Sequence, residues 1–406
     1  MTVAGSQRVI DQIETYAAHN YHPIPVVIES AQGVWMTDVE GRRYMDFLSA
    51  YSAMNFGHNH PSLVEAAMTQ MRKVCLTSRA FYSAAFGPFA EELCELLGMD
   101  MMLPMNTGAE AVETGIKLAR KWGYQVKGVA PDAAEIIGME DNFHGRTTTI
   151  ISLSNDEGAR ADFGPYTPGL HAVPFGDVEA LRAAITPNTV AVLLEPIQGE
   201  AGVILPPEGF LAEVRRLTRE HNVLMIADEI QTGMARTGTT LYCDQVGITP
   251  DLVLLGKALG GGIVPVSAVV GRREVMELLQ PGQHGSTFGG NPLGSAVGSA
   301  VISLLRTGEM QERAVQRGAQ LDAGLRRLVG GWVTAVRTAG LWAGVDIDPA
   351  VGTGRDVSER LLEKGLLVKD THVQTVRIAP PLVITEAELD WALEQIADVV
   401  QAVHAS

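Results

Sequence analysis

Lys257 follows the short apolar run Leu252 to Leu255 in the stretch DLVLLGKALGGG, with only Gly256 between them. Such a run reads as a buried parallel strand, and the glycine that ends it leaves an amine just beyond the strand's carboxyl end. Open α/β sheets bind ligands in the crevice outside those ends, where an amine partly removed from water loses its proton more readily and can attack a carbonyl. A single lysine after a strand is more often a solvated group whose stem covers apolar neighbours. The other strand ends change that balance. Val223 to Ala227 leads into Asp228, Glu229, Ile230 and Gln231, and Thr189 to Leu194 leads into EPIQGEAGV, which carries Glu195 and Glu200. Glu135 to Glu140 leads into NFHGRT, and the run from Met101 leads into Asn106, Thr107 and Gly108 at the head of an amphipathic helix. A purely structural sheet has no reason to place polar groups at the same relative position on several strands. Asp228 and Lys257 are separated by about one strand–crossover–strand unit, so their side chains should open onto one crevice.

A lysine nucleophile, a carboxylate one crossover away, a helix start with free amides and an aromatic at Phe143 match the needs of pyridoxal 5'-phosphate. Lys257 would bond the cofactor aldehyde, and Asp228, as carboxylate, would keep the ring nitrogen protonated so that the ring can accept electrons. Gly108, Ala109 and the helix they open would hold the phosphate, although a plain Thr/Gly helix cap explains the same residues. Phe143 would stack on the ring and Gln231 would bond its phenolic oxygen.

The elements that must position these groups form an α/β chain. From Met101 strand and helix patterns alternate, as they do in a mostly parallel sheet. Before that point the cluster YAAHNYHPIP, Tyr16 to Pro25, contains two prolines that favour an extended arm. Two short strands, Val34 to Thr37 and Arg43 to Asp46, join at Glu40 and Gly41 and are followed by Tyr51; helical patterns occupy Leu63 to Val74 and Phe89 to Leu97. His58 and His60 in GHNHP lack an acidic or cysteine partner nearby in sequence, which favours a turn or cap over a metal site. A second glycine-rich stretch, HGSTFGGNPLG, carries Ser286 and Thr287, and long amphipathic helices begin after it. The expected organisation is an N-terminal segment (1–50) packing with a small domain, a large cofactor-binding domain (51–295) and a small α+β domain (296–406).

Bulk properties exclude several function classes. With 406 residues, 46% of them hydrophobic and 19% charged, the chain is long enough for a large domain and a smaller one. Its net charge of −16 argues against nucleic acid or an anionic membrane surface as partner. Cys75, Cys94 and Cys243 lack metal-ligand spacing and read as free thiols filling the core in a reducing compartment. The N-terminus lacks an apolar segment after a basic start, and Ala258 to Gly271 is too short and too rich in glycine to span a bilayer. A cytoplasmic location is expected.

The motifs resemble the class III, fold-type I aminotransferases over nearly the whole chain. AHNYHPIPV, DFLSAYSAMNFGH, LTSRAFY, LPMNTGAEAVETGIKLARKWGY, NFHGRT, EPIQGEAGV, IADEIQTGMARTG, LLGKALGGG, HGSTFGGNPLG and RIAPPLVI stand in that family's order and spacing. The resemblance implies that Lys257 carries the cofactor and shuttles the proton, and that Asp228 partners the ring nitrogen. Thr287, with Ser286 beside it, would reach the phosphate of the neighbouring subunit in a homodimer with shared active sites, which can assemble further. Arg146 would bind a substrate carboxylate, Tyr21 the α-amino end of the donor, and Tyr51 would line the pocket. Glu200 and Arg377 would form a pair that opens for the second substrate. HNYHP, with its tyrosine, implies transfer of the δ-amino group of L-ornithine to 2-oxoglutarate, giving glutamate 5-semialdehyde and glutamate. Acetylornithine, 4-aminobutyrate or lysine as donor, an amino-acid racemase on the same fold, and a cofactor-binding regulator remain alternatives. His144 stands where some relatives have tryptophan, and Ala109 where some have valine; both bear on the pocket wall.

Overall fold

The computed structural model describes residues 5–401. Its centre is a seven-stranded sheet in the order Met101–Met105, Ser267–Gly271, Leu252–Leu255, Leu224–Asp228, Thr189–Leu194, Glu135–Met139, Leu170–Val173. Ser267–Gly271 runs antiparallel to both neighbours, and the pairs from Leu252–Leu255 outward to Leu170–Val173 are parallel. Strands covered on both faces need apolar residues throughout, and Thr189–Leu194, Leu224–Asp228 and Leu252–Leu255 are buried at every position. The helix Gly108–Trp122 lies against this sheet, close enough that a Cβ on Gly115 would come within 3.2 Å of Leu254 Cδ2.

Two four-stranded sheets flank the centre. Ile28–Gln32, Trp35–Asp38 and Arg43–Asp46 form an antiparallel meander completed by Leu366–Leu367, which pairs parallel to Arg43–Asp46. An N-terminal segment thus shares a sheet with residues more than three hundred positions later. The other sheet takes Val333–Thr338, Ala343–Ile347, Thr375–Ile378 and Lys369–Thr371 in that order. The helix Pro292–Arg306 packs on Pro61–Met71 and Phe86–Leu97 and runs unbroken across position 296.

Several sequence expectations need correcting. Ile28–Gln32, Leu170–Val173 and Ser267–Gly271 are strands that the sequence pattern alone did not single out, because each is short and lacks clean alternation. His58 does have an acidic partner: its Nε2 lies 2.8 Å from Asp46 Oδ2, on the preceding hairpin. Cys243 is buried, but Cys75 is exposed and so is not core filler; all three cysteines are free thiols. No group of three or more His, Cys, Asp or Glu among the described residues could hold a metal ion. No helix among the described residues is long and apolar enough to cross a membrane.

Candidate active site

The strand ends converge as their spacing requires. Asp228 sits opposite Leu254 in the parallel register, so the carboxylate and the lysine three residues beyond Leu254 open at one edge of the sheet. A cleft there is lined by Gly108, Ala109, Phe143, Asp228, Gln231 and Lys257, with His144 and Glu195 completing its wall. Lys257 itself has φ +45°, a left-handed conformation rare for a residue with a side chain, and it follows an extended Gly256. Burial lowers its pKa to about 8, with the positive charge of Arg377 acting in the same direction against Glu200, Asp228 and Glu195. An amine so tuned is about half neutral near pH 8, far more so than an ordinary lysine, and able to act as nucleophile and base.

Asp228 is held by its neighbours. Its Oδ1 accepts the Ile230 N–H at 3.2 Å, and its Oδ2 lies 2.7 Å from His144 Nδ1. Burial opposes protonation of His144, but the hydrogen bond and charge of Asp228 outweigh it and raise the imidazole pKa. His144 Nε2 is buried without a partner. Glu195, at the end of Thr189–Leu194, accepts the Phe143 N–H at 2.9 Å and so fixes the backbone of the aromatic. Burial pushes its carboxyl up to about 7. The sequence placed His144 in the pocket wall, where it lies, but missed its bond to Asp228, and it gave Glu195 no role, although Glu195 ends its strand at the position equivalent to that of Asp228 on the adjacent strand.

The helix start is capped as the Thr/Gly reading of its sequence expects. Thr107 caps it, accepting the Glu110 N–H at 3.2 Å, while Glu110 Oε2 accepts the amides of Asn106 and Thr107, each at 2.8 Å. First-turn amides have no carbonyl to bond within the helix, so those of Gly108 and Ala109 are left to the cleft these residues line. Bulk is excluded at this corner: a Cβ on Gly108 would stand 3.0 Å from Ile230 Cδ1. Asn106 Nδ2 also donates to Ser286 Oγ at 2.7 Å, which brings the glycine-rich loop to the same place.

Beside the cleft, Arg377 is 1% exposed on the strand Thr375–Ile378. Its Nη1 donates to Glu200 Oε1 at 2.6 Å and its Nη2 to Gln231 Oε1 at 2.8 Å, while its guanidinium carbon lies 5.1 Å from the centre of the Tyr51 ring. Burial opposes ionisation of Glu200, yet the charges of Arg377 and Lys257 prevail and lower its pKa. Gln231 therefore spends its carbonyl on Arg377 rather than turning wholly to the cleft. A Cβ on Gly199 would approach Gln231 Oε1 to 2.6 Å, so glycine is needed for this side chain to lie where it does. Arg146 is exposed and stacks over Phe143 with its guanidinium carbon 5.4 Å from the ring centre. Tyr21 is 77% exposed, and Thr287 is exposed; a single chain does not enclose either.

The model of the family described as aminotransferase class-III matches residues 16–400. The chain belongs to that family. It is 52% identical to the ornithine aminotransferase of Bacillus subtilis (strain 168), over 98% of each chain. A crystal structure of the ornithine aminotransferase from Toxoplasma gondii ME49 superposes with a TM-score of 0.97 at 42% identity, covering 99% of this chain and 96% of that one. An acetylornithine aminotransferase from Elizabethkingia anophelis gives a TM-score of 0.89 at 43% identity, covering 98% of this chain and all of that one. Class-III aminotransferases are fold-type I enzymes that depend on pyridoxal phosphate. The cleft fits that group: it has an amine with a lowered pKa, a carboxylate held between a backbone N–H and an imidazole, an aromatic wall and open helix-start amides.

Proposed function

We propose that this aminotransferase moves the δ-amino group of L-ornithine to 2-oxoglutarate, giving L-glutamate and a semialdehyde that cyclises to pyrroline-5-carboxylate. The observation that carries this reading is the Glu200–Arg377 pair at the mouth of the cleft. An α-amino acid donor needs a free arginine for its carboxylate next to the reacting amine, and here that arginine is neutralised. Ornithine would enter with its far carboxylate on Arg146, its α-amino end near Tyr21 and its δ-amine toward Lys257. For 2-oxoglutarate the pair must open, so that Arg377 takes the α-carboxylate and Arg146 the distal one. A charged hydrogen bond contributes about 1.5–3 kcal/mol, so a bidentate carboxylate can compete with a partly exposed pair.

Pyridoxal phosphate bound in the cleft supplies an aldehyde that takes up the amino group and a ring that delocalises the electron pair left when a proton departs. Lys257 would hold the aldehyde carbon and carry the proton to and from the substrate carbon at Nζ. Asp228, oriented by His144, would partner the ring nitrogen, and Phe143 would pack on the ring. Gln231 would offer its amide to the phenolic oxygen. Thr107, Gly108 and Ala109 would hold the phosphate, joined by Thr287 from the second subunit of a homodimer, while Ser286, beside Thr287, bonds Asn106 of its own chain. Thr287, Phe288, Phe81 and Tyr82 are exposed on the single chain, as residues that meet a second subunit would be. Residues 51–295 would form the large cofactor-binding domain and 296–406 the small domain against which the 1–50 segment packs, and the enzyme would work in the cytoplasm.

Adding single amino acids to the yellow holoenzyme and recording which of them bleach the cofactor absorbance tests the assignment. Ornithine should do so rapidly, and failure of ornithine alongside success of acetylornithine would favour the second donor, for which the Elizabethkingia relative argues. Two variants sharpen the reading. Glu200→Ala frees Arg377, so it should accelerate the half-reaction with glutamate by about tenfold or more, the equivalent of one charged hydrogen bond, and raise the fraction of ornithine attacked at the α-amine. Single-turnover rates and product analysis read both effects, and no change in either would remove the gate. Mixing Thr287→Ala with Lys257→Ala subunits should produce heterodimers with one intact site and restore activity that neither parent has. Absence of rescue would count against a shared phosphate site.

A further inference from the structure

Four consecutive residues that carry side chains, Ser49, Ala50, Tyr51 and Ser52, have φ of 49°, 44°, 60° and 73°. They make one left-handed turn, a conformation in which each Cβ crowds the following carbonyl and which such residues rarely adopt in succession. Backbone bonds close it, from the Ala53 N–H to Ala50 O at 3.3 Å and from the Met54 N–H to Ser49 O at 2.9 Å, but no side chain of the turn adds a hydrogen bond. The hydroxyls of Ser49 and Ser52 are buried without partners, and Ala50 is exposed. The restraint must come from its ends, because strained backbone persists only where its surroundings over-determine it.

Those ends are tied in a specific way. Asp46 Oδ1 accepts the amides of Leu48 at 2.9 Å and Ser49 at 2.8 Å, and Asp46 Oδ2 takes His58 Nε2 at 2.8 Å. His58 is itself fixed to the N-terminal sheet by reciprocal backbone bonds with Gly33 at 2.8 and 2.9 Å. On either side of the turn, Ala379 N–H donates to Phe47 O at 2.7 Å and Leu382 N–H to Asn55 O at 2.8 Å. The turn is therefore stapled to the segment that follows Arg377, and its one large side chain, Tyr51, lies against the Arg377 guanidinium.

We propose that Asp46 and His58 are positioning residues that hold the left-handed turn and thereby keep the Tyr51 ring on Arg377, setting how the mouth of the site receives an amino donor. The proposal rests on the reading that Arg377 and Tyr51 line the substrate pocket. Asp46 and His58 touch neither cofactor nor substrate; they act through the backbone of residues 48 to 52. His58 earns no metal role in this arrangement, since it serves as donor to a buried carboxylate.

The test uses the holoenzyme and compares His58→Ala with His58→Gln, whose amide reaches as far as Nε2 and can donate to Asp46. Hydrogen exchange of the peptide spanning residues 47–56 should accelerate in His58→Ala and return to the wild-type rate in His58→Gln. In steady state, KM for ornithine should rise by up to about tenfold with little change in kcat, because the cation–π contact that holds Tyr51 in the wall met by the donor is lost and with it uniform binding of the donor. His58→Gln should restore it. Unchanged exchange, or faster exchange with an unchanged KM, would overturn the proposal. Should His58→Ala fail to fold, His58→Asn, whose amide is too short to reach Asp46, takes its place with the same readings. Ala50→Gly should raise Tm, because glycine tolerates φ 44° and no packing is lost at an exposed site; a lowered Tm would also count against the strained turn. Failure of the ornithine reading would show in the wild-type enzyme before any variant is made, whereas failure of this proposal shows only in the variants.

Discussion

Replacing Lys257 by alanine is expected to abolish steady turnover while leaving a folded protein that still binds pyridoxal phosphate. No other amine lines the cleft among the described residues, so both covalent retention of the cofactor and proton transfer at the substrate carbon are lost together. General acid–base catalysis by a positioned group is worth about 10²–10⁴-fold, and loss of the covalent attachment adds to that. Steady-state assay and the absorbance of the lysine-bound cofactor read the effect, and retained turnover without added amine would remove Lys257 from the role of shuttle. The same variant has a signature in the apoprotein. The folded pKa of Lys257 is about 8 against an ordinary 10.5, so between these values the unfolded chain binds a proton that the folded one does not. Stability must then rise with pH across that window and be lower below it. Lys257→Ala removes this dependence, so its apoprotein should melt higher than the wild-type apoprotein near pH 7, and the gap should narrow between pH 8 and 10.5. An equal gap at all pH values would mean that the amine is not desolvated.

Asp228→Asn is expected to bind the cofactor with near-normal fluorescence but to slow proton removal from the substrate by about 10²–10⁴-fold. Asparagine keeps the shape of the side chain and can still accept the Ile230 N–H, but it supplies no negative charge to the ring nitrogen. The change extends to His144, whose raised pKa depends on the hydrogen bond and charge of Asp228, so the imidazole should titrate lower in the variant. Single-turnover rates with a donor deuterated at the reacting carbon give the first effect, and the histidine resonance gives the second. Near-normal turnover would show that the ring is not tuned through Asp228. If turnover falls while the His144 titration stays unchanged, the carboxylate acts on the ring without the dyad.

Much of the site was legible in the chain because a parallel sheet obeys a simple rule: loops at the carboxyl ends of neighbouring strands share one edge. Lys257, Asp228, Phe143, Gly108 and Ala109 could be placed together from the alternation of apolar runs and polar strand ends, and they do line one cleft. The amphipathic pattern and the Thr/Gly cap likewise announced the helix that begins at Gly108, while the reciprocal bond from Glu110 emerged only in the structure. The long-range pairings were a different matter. The partner of His58 on the preceding hairpin and the closure of the N-terminal meander by Leu366–Leu367 depend on how separate sheets dock, and the pairing of Arg377 with Glu200, 177 residues earlier, was expected from the family resemblance alone. Local periodicity holds no information about such docking. The left-handed turn at Ser49–Ser52 lies further still from sequence reasoning, because intrinsic preference argues against it at every position. The sequence by itself thus determined the chemistry at the strand ends. Only the tertiary structure decided that His58 meets Asp46, that His144 meets Asp228 and which backbone is strained, since these arise from contacts that hold a segment where its own residues would not place it.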